Sequence, residues 1–380
     1  MKVRRFAILA STIALASNSI GVGCKDADDS DSPSAAPQSR SSTFLSKVFT
    51  VDRIYRSMHG PRKRSTVRLL DTEDPELLWI TGFEAVMVGA DGETPKSQQF
   101  MCHSNWDVVE GKPAHEMFFR NRLIHGRMFT LSQGQLRIAL PSGFGIPMLS
   151  TSKYRLNTQV LNLHQETGSE KVRHKITVDY VLDRELREPF KALSTIGLVV
   201  MVSLDGPAVF GRLEPNEVEA AASCLPGEKA MSNDTGHQDR FGQEFVGHFV
   251  VPPGRHVFRT LVTDRMRLQY DTTIHYIAVH LHPFAESMWL RDLTTDEILY
   301  TAKAVNFEES IGLEHVDLFS SEEGIPIFKD HEYELVAIYD NTTIEDHDAM
   351  AVFNLYTHDK KFDKAAFAPI VAEAKPSAVR

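Results

Sequence analysis

The sequence is divided into many short segments rich in β-branched, aliphatic and aromatic residues, and this pattern limits the folds open to the chain. Between residues 44 and 183, runs such as Leu78–Gly89 and Val172–Leu182 are separated by Gly, Pro, Asn and Asp. No long segment of this half keeps the 3.6-residue apolar period that an amphipathic helix requires. The pattern therefore predicts antiparallel strands packed as a β-sandwich.

The second half of the chain has the same character. A polar break at Arg184–Pro189 precedes it, and Glu214–Cys224, with its good helix formers, is expected to be a short helix or a loop insert. We expect an all-β protein of two tandem antiparallel β-sandwich, jelly-roll-like domains, at residues 43–186 and 187–372. The predicted strands after the break are Ile196–Leu204, Glu244–Val251, His256–Asp264, Thr273–His282, Met288–Leu293, Tyr333–Tyr339 and Ala349–Tyr356.

The N-terminus has the features of an export signal within residues 1–24. Three basic residues precede the apolar run Phe6–Ala16, which is too short to span a bilayer. Cys24 follows small residues, as in a bacterial lipoprotein cleavage site, so lipid attachment and plain secretion both remain open. Residues 25–42 are almost without apolar side chains and are expected to form a flexible linker. The expected location is extracytoplasmic, with membrane contact only through a lipid on Cys24.

Charge and cysteine content exclude two classes of protein. The net charge of −10 provides no basic surface to neutralise phosphates, which argues against a nucleic-acid partner. Apart from Cys24, only Cys102 and Cys224 are present, too few for a disulfide-dense scaffold. One bridge between them and two free thiols both remain open.

The segment Thr273–Pro283 carries a His-x-His pair on a predicted strand. Successive side chains of a strand point to opposite faces, so His280 and His282 are expected to share one face with Tyr276, whereas His275 lies on the other and has a structural role. Two imidazoles on one face can chelate a metal. The alternative is an ordinary pair of surface histidines.

Met350 is a candidate third ligand. Alternation along its predicted strand places it on one face with Val352, Asn354, Tyr356 and His358. A thioether is a soft, neutral ligand that suits copper and is a poor ligand for zinc, magnesium or calcium. Two histidines and a methionine therefore indicate copper if they converge, and Met350 is otherwise a core residue.

Three runs of the second half form one group: VPPGRHVF at 251–258, AVHLHPFAESMWLRD at 278–292 and DAMAVFNLY at 348–356. Together they resemble the C-terminal domain of the type II copper, ascorbate-dependent monooxygenases, a family that includes peptidylglycine α-hydroxylating monooxygenase and dopamine β-monooxygenase. The resemblance implies that His280, His282 and Met350 hold the catalytic copper.

The first half resembles the part of that family that holds a second, electron-transfer copper with three histidines. The corresponding runs are ITGFEAVMVGADGE, QFMCHSNWDV, LPSGFGIP and SKYRLNTQVLNLH. The resemblance implies that His103 and His164 are ligands and places Cys102 where a histidine stands in the family. A thiolate ligand at Cys102, recruitment of His125 or His115, and a weak or lost site all remain open.

The activity implied by the resemblance is hydroxylation of a C–H bond in a small organic or peptide-like substrate, with O2, two copper ions and an external reductant such as ascorbate. Asn354 and Tyr356 resemble the substrate-contacting Asn-x-Tyr of the peptide-amidating members. Ala278 stands where those members have an Arg that binds the peptide carboxylate, so a glycine-extended peptide is not expected. The alternatives are a non-catalytic, extracytoplasmic copper-binding protein on the same fold and a metal-free ligand-binding pair of sandwiches.

Overall fold

In the computed structural model of this chain, the described residues are 39–55, 57, 59–109, 126–164, 168–205, 236–239 and 241–366. Most of them lie in β-strands, and the sheets pack face to face, which confirms the predicted all-β sandwich class. The strands are β1 (Arg40–Leu45), β2 (Phe49–Val51), β3 (Arg62–Arg68), β4 (Leu77–Gly89), β5 (Met101–Val108), β6 (Arg127–Leu131), β7 (Arg137–Ala139), β8 (Phe144–Leu149), β9 (Lys153–Val160), β10 (Glu170–Leu182), β11 (Lys191–Val199), β12 (Val202–Ser203), β13 (Gly236–Gln238), β14 (Glu244–Val246), β15 (Phe249–Val251), β16 (Gly254–Leu261), β17 (Thr272–Leu281), β18 (Ala285–Asp292), β19 (Glu297–Asn306), β20 (Leu313–Val316), β21 (Phe319–Ile327), β22 (Tyr333–Asn341), β23 (His347–Ala349) and β24 (Ala351–His358).

Helical structure is sparse in these same ranges. It consists of α1 (Thr263–Met266) and 3₁₀ turns at Gln98–Phe100, Asp183–Glu185 and Lys364–Ala366. No helix of the described residues has the length and apolar content needed to cross a bilayer. The predicted signal segment with Cys24, the Glu214–Cys224 insert, and His115 and His125 lie outside the described residues.

The first sandwich packs the sheet β1-β10-β4-β8 against the sheet β3-β9-β5-β6. Large aromatic rings fill the space between them, and Phe83 of β4 stacks on Phe129 of β6 with ring centroids 5.1 Å apart. His174 of β10 joins the two sheets as well, since its Nδ1 lies 2.7 Å from Oγ of Ser104 on β5. Apolar residues at alternate positions of these strands supply the core, as the sequence pattern predicted.

The second sandwich packs the sheet β16-β22-β18-β19-β20 against β11-β24-β17-β21. A parallel pairing of β8 with β11 joins the latter sheet to the first sandwich, so one ten-stranded sheet runs through both halves. Strand β11 contributes to both hydrophobic cores. Leu193 packs in the core of the first sandwich and Ile196 in the core of the second.

The two faces of the paired strands β17 and β24 serve different cores. Ile277 and Phe353 point into the second core, whereas Tyr276 and Tyr356 pack into the first. The hydroxyl of Tyr356 donates a hydrogen bond to the carbonyl oxygen of Met128, 2.9 Å away, which fixes the two sandwiches to each other. The face that carries Tyr276 therefore looks toward the first sandwich.

The predicted flexible linker overlaps the first strand. β1 begins at Arg40 and pairs with β10 in register from Arg40 opposite Tyr180 to Leu45 opposite Lys175, so the linker prediction is wrong for residues 40–42. Strand β1 lies at the end of its sheet with alternate residues exposed, a position that accepts Ser and Thr. Low apolar content therefore did not indicate a loop there.

We predict that Tyr356→Phe lowers the free energy of unfolding by about 1–3 kcal/mol, because the buried Met128 carbonyl loses its donor. Tyr300→Phe is the matched control, since the buried Tyr300 hydroxyl has no hydrogen-bond partner among the described residues. That change is expected to be neutral or stabilising. Denaturant unfolding of the three proteins measures the difference, and equal losses for the two variants would contradict the assigned role of Tyr356.

We also predict an acid-dependent loss of stability from His174. Burial lowers the pKa of His174 from 6.5 to about 3, opposed by a hydrogen bond to the backbone of Gln159. As the pH falls, His174 is protonated in the unfolded chain before it is protonated in the folded protein. Its contribution to the free energy of unfolding is therefore fully present above pH 6.5 and is lost as the pH drops toward 3. His174→Gln should flatten this fall in denaturant titrations, and the exposed His315→Gln should not. Parallel curves for His174→Gln and the parent protein would contradict the prediction.

Candidate metal centre

A pocket between the two sandwiches contains both histidines of the His-x-His pair. It is a small cavity of about 40 Å³ that opens to solvent. The first sandwich contributes Ser57, Cys102 and Ser132 to its wall, and the second contributes His280, His282 and Asp348. Side chains from both halves of the chain therefore meet here.

The two histidines are held through their Nδ1 atoms. Nδ1 of His280 lies 2.9 Å from Oγ of Ser132. Nδ1 of His282 lies 3.0 Å from Oδ2 of Asp348, off the line of a hydrogen bond, so this contact is mainly electrostatic. Histidines that bind metals usually direct the second ring nitrogen at a carboxylate or another acceptor in this way, which fixes the ring and leaves Nε2 to ligate.

The ring geometry fits one shared ion. The ring centroids of His280 and His282 are 5.2 Å apart, and their planes are nearly perpendicular at 86°. Two imidazoles bound through nitrogens at about 2.0 Å from one metal have centroids roughly 5 Å apart. The pair therefore needs little rearrangement to chelate a metal, and the sequence prediction that both rings share a face agrees with their positions.

Met350 lies beside His282 in the backbone. Leu281 pairs with Ala351, so the next residues of the two strands, His282 and Met350, are neighbours. The Tyr339 hydroxyl donates to the Met350 carbonyl oxygen at 2.8 Å and accepts from the His282 N–H at 3.5 Å. The Met350 side chain packs with Val199, Met201 and Val352 in a small apolar cluster.

His248 is a member of this group that the sequence did not reveal. It is 1% exposed, and its ring centroid lies 5.9 Å from that of His282. It precedes β15, whose Phe249 pairs with Ala349 of β23, so the register brings His248 next to Met350. No spacing in the sequence marks this residue, because the contact depends on which strands pair.

Burial keeps the imidazoles of His280 and His248 neutral. It lowers the pKa of His280 well below the ordinary value, and neighbouring imidazoles and Arg127 lower it further. Burial likewise lowers the pKa of His248 to about 4, with His282 adding to the effect and Asp348 opposing it. Burial raises the pKa of Asp348, but the imidazoles of His282 and His248 outweigh this and hold it below its ordinary value. Neutral imidazoles beside a carboxylate are the protonation states that a metal ion requires.

The predicted first-half ligands are differently placed. Cys102 is buried at a bulge between Met101 and His103 and lines the pocket. His103 is buried, with Nε2 lacking a hydrogen-bond partner among the described residues. β9 ends at Val160, so His164 lies beyond the strand that was predicted to end in it.

These three residues do not form a ready metal site. No three His, Cys, Asp or Glu side chains of the described residues are arranged to hold one ion, and this includes Cys102, His103 and His164. After burial, the nearby guanidinium of Arg127 is the largest influence that lowers the pKa of His103, and Arg62 acts in the same direction. The guanidinium of Arg127 is itself paired with the carboxylate of Asp107.

The predicted substrate contacts, Asn354 and Tyr356, are buried and do not line the pocket. Asn354 is 4% exposed and lies between Ala278 and Gly197 on the adjacent strands. Tyr356 is completely buried and bonded to Met128. In this arrangement both residues form part of the junction between the sandwiches.

No known family model matches the sequence, and no curated protein matches it. Two solved structures share some similarity. A peptide-N4-(N-acetyl-β-D-glucosaminyl)asparagine amidase is 9% identical, with 85% of this chain and 98% of that chain covered and a TM-score of 0.31. A recombinant peptide:N-glycanase F is 8% identical, with 84% and 96% covered and a TM-score of 0.32. Similarity at this level carries neither an activity nor a ligand over to this chain.

Proposed function

We propose that this protein is a copper-dependent monooxygenase whose copper is held by His280 and His282, with Met350 beside them. The observation that carries the proposal is the pair of perpendicular rings, 5.2 Å apart, at a pocket between two sandwiches. Their Nδ1 atoms are engaged by Ser132 and Asp348, which leaves the Nε2 atoms for the ion. Bound copper would supply O2 activation and electron transfer, with ascorbate or a similar compound as the reductant.

The protein side chains prepare this site in three ways. Ser132 and Asp348 fix the orientation of the two rings. Burial keeps His280 neutral, so no proton competes with the metal. A thioether at Met350 together with neutral imidazoles favours Cu(I), the state that must meet O2. Met350 would have to turn from its apolar cluster toward the rings to do so.

The pocket indicates the kind of substrate. Its wall includes the apolar side chains Leu161, Leu163, Phe284 and Ile311, so a small organic or peptide-like substrate would place an apolar C–H group at this opening while most of the molecule stays outside the cavity of about 40 Å³. Neither Asn354 nor Tyr356 is at this wall, so we do not propose them as substrate contacts. We propose that the protein acts outside the cytoplasm, released or anchored by a lipid, as its N-terminal sequence indicates.

One observation favours a second function, a non-catalytic copper-binding protein. Cys102, His103 and His164 form no three-ligand cluster in the described part of the chain, and Arg127 and Arg62 lie near His103. Monooxygenation uses two electrons for each O2, and a single copper without a relay receives them only one at a time from outside. A binding protein needs the His280 and His282 site alone.

We predict that the purified protein binds one copper ion per chain with high affinity at the His-x-His pair. His280→Gln and His282→Gln should each weaken binding by at least about a hundredfold, because each removes a ligand and the effects of outer-shell changes alone reach that size. Met350→Ile preserves apolar volume and removes the thioether, and it should weaken binding of Cu(I) more than of Cu(II). Competition titrations with a Cu(I) or Cu(II) chelator measure each affinity.

The matched control for the copper prediction is His275→Gln on the same strand. His275 is bonded to Thr273 and to the Ser321 carbonyl, and it stacks on Phe144 away from the pocket. Its substitution should leave copper affinity unchanged. Equal copper affinities for the parent protein, His280→Gln and His282→Gln would refute the proposed site.

We predict that the copper-loaded protein consumes O2 in the presence of ascorbate and that His282→Gln abolishes this consumption. An oxygen electrode measures the rate, and a peroxide assay separates O2 incorporation from simple reduction. A protein that binds copper tightly but consumes no O2 above the level of the His282→Gln variant would favour the copper-binding function.

A further inference from the structure

A tight turn follows the His-x-His pair and contains an aromatic residue with an unusual backbone conformation. The N–H of Ala285 donates to the carbonyl oxygen of His282, 3.4 Å away, and Pro283 and Phe284 are the two central residues. Phe284 has a φ of 70°. A turn with Pro at its first central position and a positive φ at the second favours glycine there, because a side chain is strained. The chain therefore keeps an aromatic ring where the backbone favours none.

Three hydrogen bonds hold this conformation. Asn306 accepts from the Phe284 N–H through Oδ1 at 2.7 Å and donates to the Ala285 carbonyl oxygen through Nδ2 at 2.9 Å. The Asp340 N–H donates to the Phe284 carbonyl oxygen at 2.8 Å. The neighbouring strands thus fix the position of the ring, which stacks on His347 with centroids 4.6 Å apart. Backbone strain that the surrounding structure holds in this way is concentrated at ligand-binding and active sites.

Phe284 and Ile311 line both the small pocket of the His-x-His pair and a larger groove beside it. The groove has a volume of about 420 Å³, against about 40 Å³ for the pocket. Sites for small organic ligands usually have volumes of roughly 300 Å³ or more. The pocket can therefore take only a terminal group of a substrate, whereas the adjoining groove has room for the rest of the molecule.

The wall of the groove is acidic. Four carboxylates of the described residues line it, and no Lys, Arg or His among these residues does so. The carboxylates are Glu286, Glu308, Glu309 and Asp340. Arg255 pairs with the first of them, Glu286, at 2.7 Å. The remaining negative charge disfavours a ligand that carries a carboxylate or phosphate at this position.

We propose that Phe284 is a specificity-determining residue of the proposed reaction. Its ring supports the body of the substrate in the groove and directs an alkyl end into the pocket beside His280 and His282. The substrate is accordingly a molecule without negative charge that has a terminal alkyl group, and organic acids are excluded. The reaction assigned to this substrate rests on the proposed copper function, but binding in the groove requires no copper.

The test uses hexanamide and hexanoate, two probes of equal length that differ in charge. Nuclear magnetic resonance titrations of the full chain measure their affinities, and hexanoate should bind at least about tenfold more weakly because of the carboxylates. In the Cu(II)-loaded protein, the paramagnetic ion should broaden the terminal methyl signal of hexanamide more than the signal of the C2 protons. This comparison shows which end of the probe lies nearer the copper.

Phe284→Gly removes the ring and suits the positive φ, so it should weaken hexanamide binding about tenfold by loss of apolar contact. Phe328→Ala is the matched control, because Phe328 also stacks on a histidine, His331, but lines a different groove. This control should keep the parent affinity for hexanamide. Chelator competition and thermal unfolding should show that Phe284→Gly retains the copper affinity and the fold of the parent protein.

The outcomes separate this inference from the copper function. No binding of hexanamide, equal affinities for the two probes, unchanged hexanamide affinity in Phe284→Gly, or stronger broadening of the C2 protons would each overturn the role of Phe284 and leave copper binding in place. A parent protein that binds hexanamide but no copper would overturn the copper function and the reaction assigned to this substrate. The probe preference and the broadening are measured on the unaltered protein, so misfolding of Phe284→Gly would not prevent a decision.

Discussion

The structure depends on the two faces of the paired strands β17 and β24. One face completes the second core with Ile277, Val279 and Phe353. The other face supplies Tyr276, Ala278 and Tyr356 to the first core. His280 and His282 follow on that same face, further along the chain. Because the side chains of a strand alternate, a single pair of strands joins two sandwiches and directs the His-x-His pair into the pocket between them.

A turn of the first sandwich completes this junction. Ser132, Gln133 and Gln135 bond respectively to the His280 ring, the Leu313 N–H and the Val279 N–H. Gly134 between them has a φ of 82°, and a Cβ there would lie 2.7 Å from a methyl group of Val316. Only glycine permits this approach without strain. The first sandwich therefore positions a side chain of the second, and the candidate site needs both halves.

Burial and charge then set the chemistry that the pocket allows. Desolvation lowers the pKa values of His103, His248 and His280, so these rings stay neutral at neutral pH. Asp348 remains the anion among them, held by the imidazoles of His282 and His248 against the cost of burial. Arg127, which is paired with Asp107, lowers the pKa values of both His103 and His280, and Arg62 adds to the effect at His103. The negative charge of Asp348 lies at the His282 side of the pocket.

Alternation in the sequence was sufficient to predict the all-β class, most strands, and the shared face of His280 and His282, because these follow from the two-residue period of a strand. It failed where a bulge breaks that period. A register shift between Ile274 and Tyr276 interrupts the alternation, so His275, predicted to lie on the face of Ile277, stacks on Phe144 of the first core with centroids 4.1 Å apart. Cys102 lies at a similar register shift, between Met101 and His103. A single sequence does not reveal such a shift.

The sequence by itself determined which residues can share a face of a strand, and it nominated His280, His282 and Met350 as a set. Only the tertiary structure decided which other residues meet them. His248, Ser132 and Asp348 come from a connection, a turn and another strand, and long-range pairing brings them to the pocket. Local periodicity carries no information about which strands pair, because pairing depends on how the apolar faces of the whole chain are buried together.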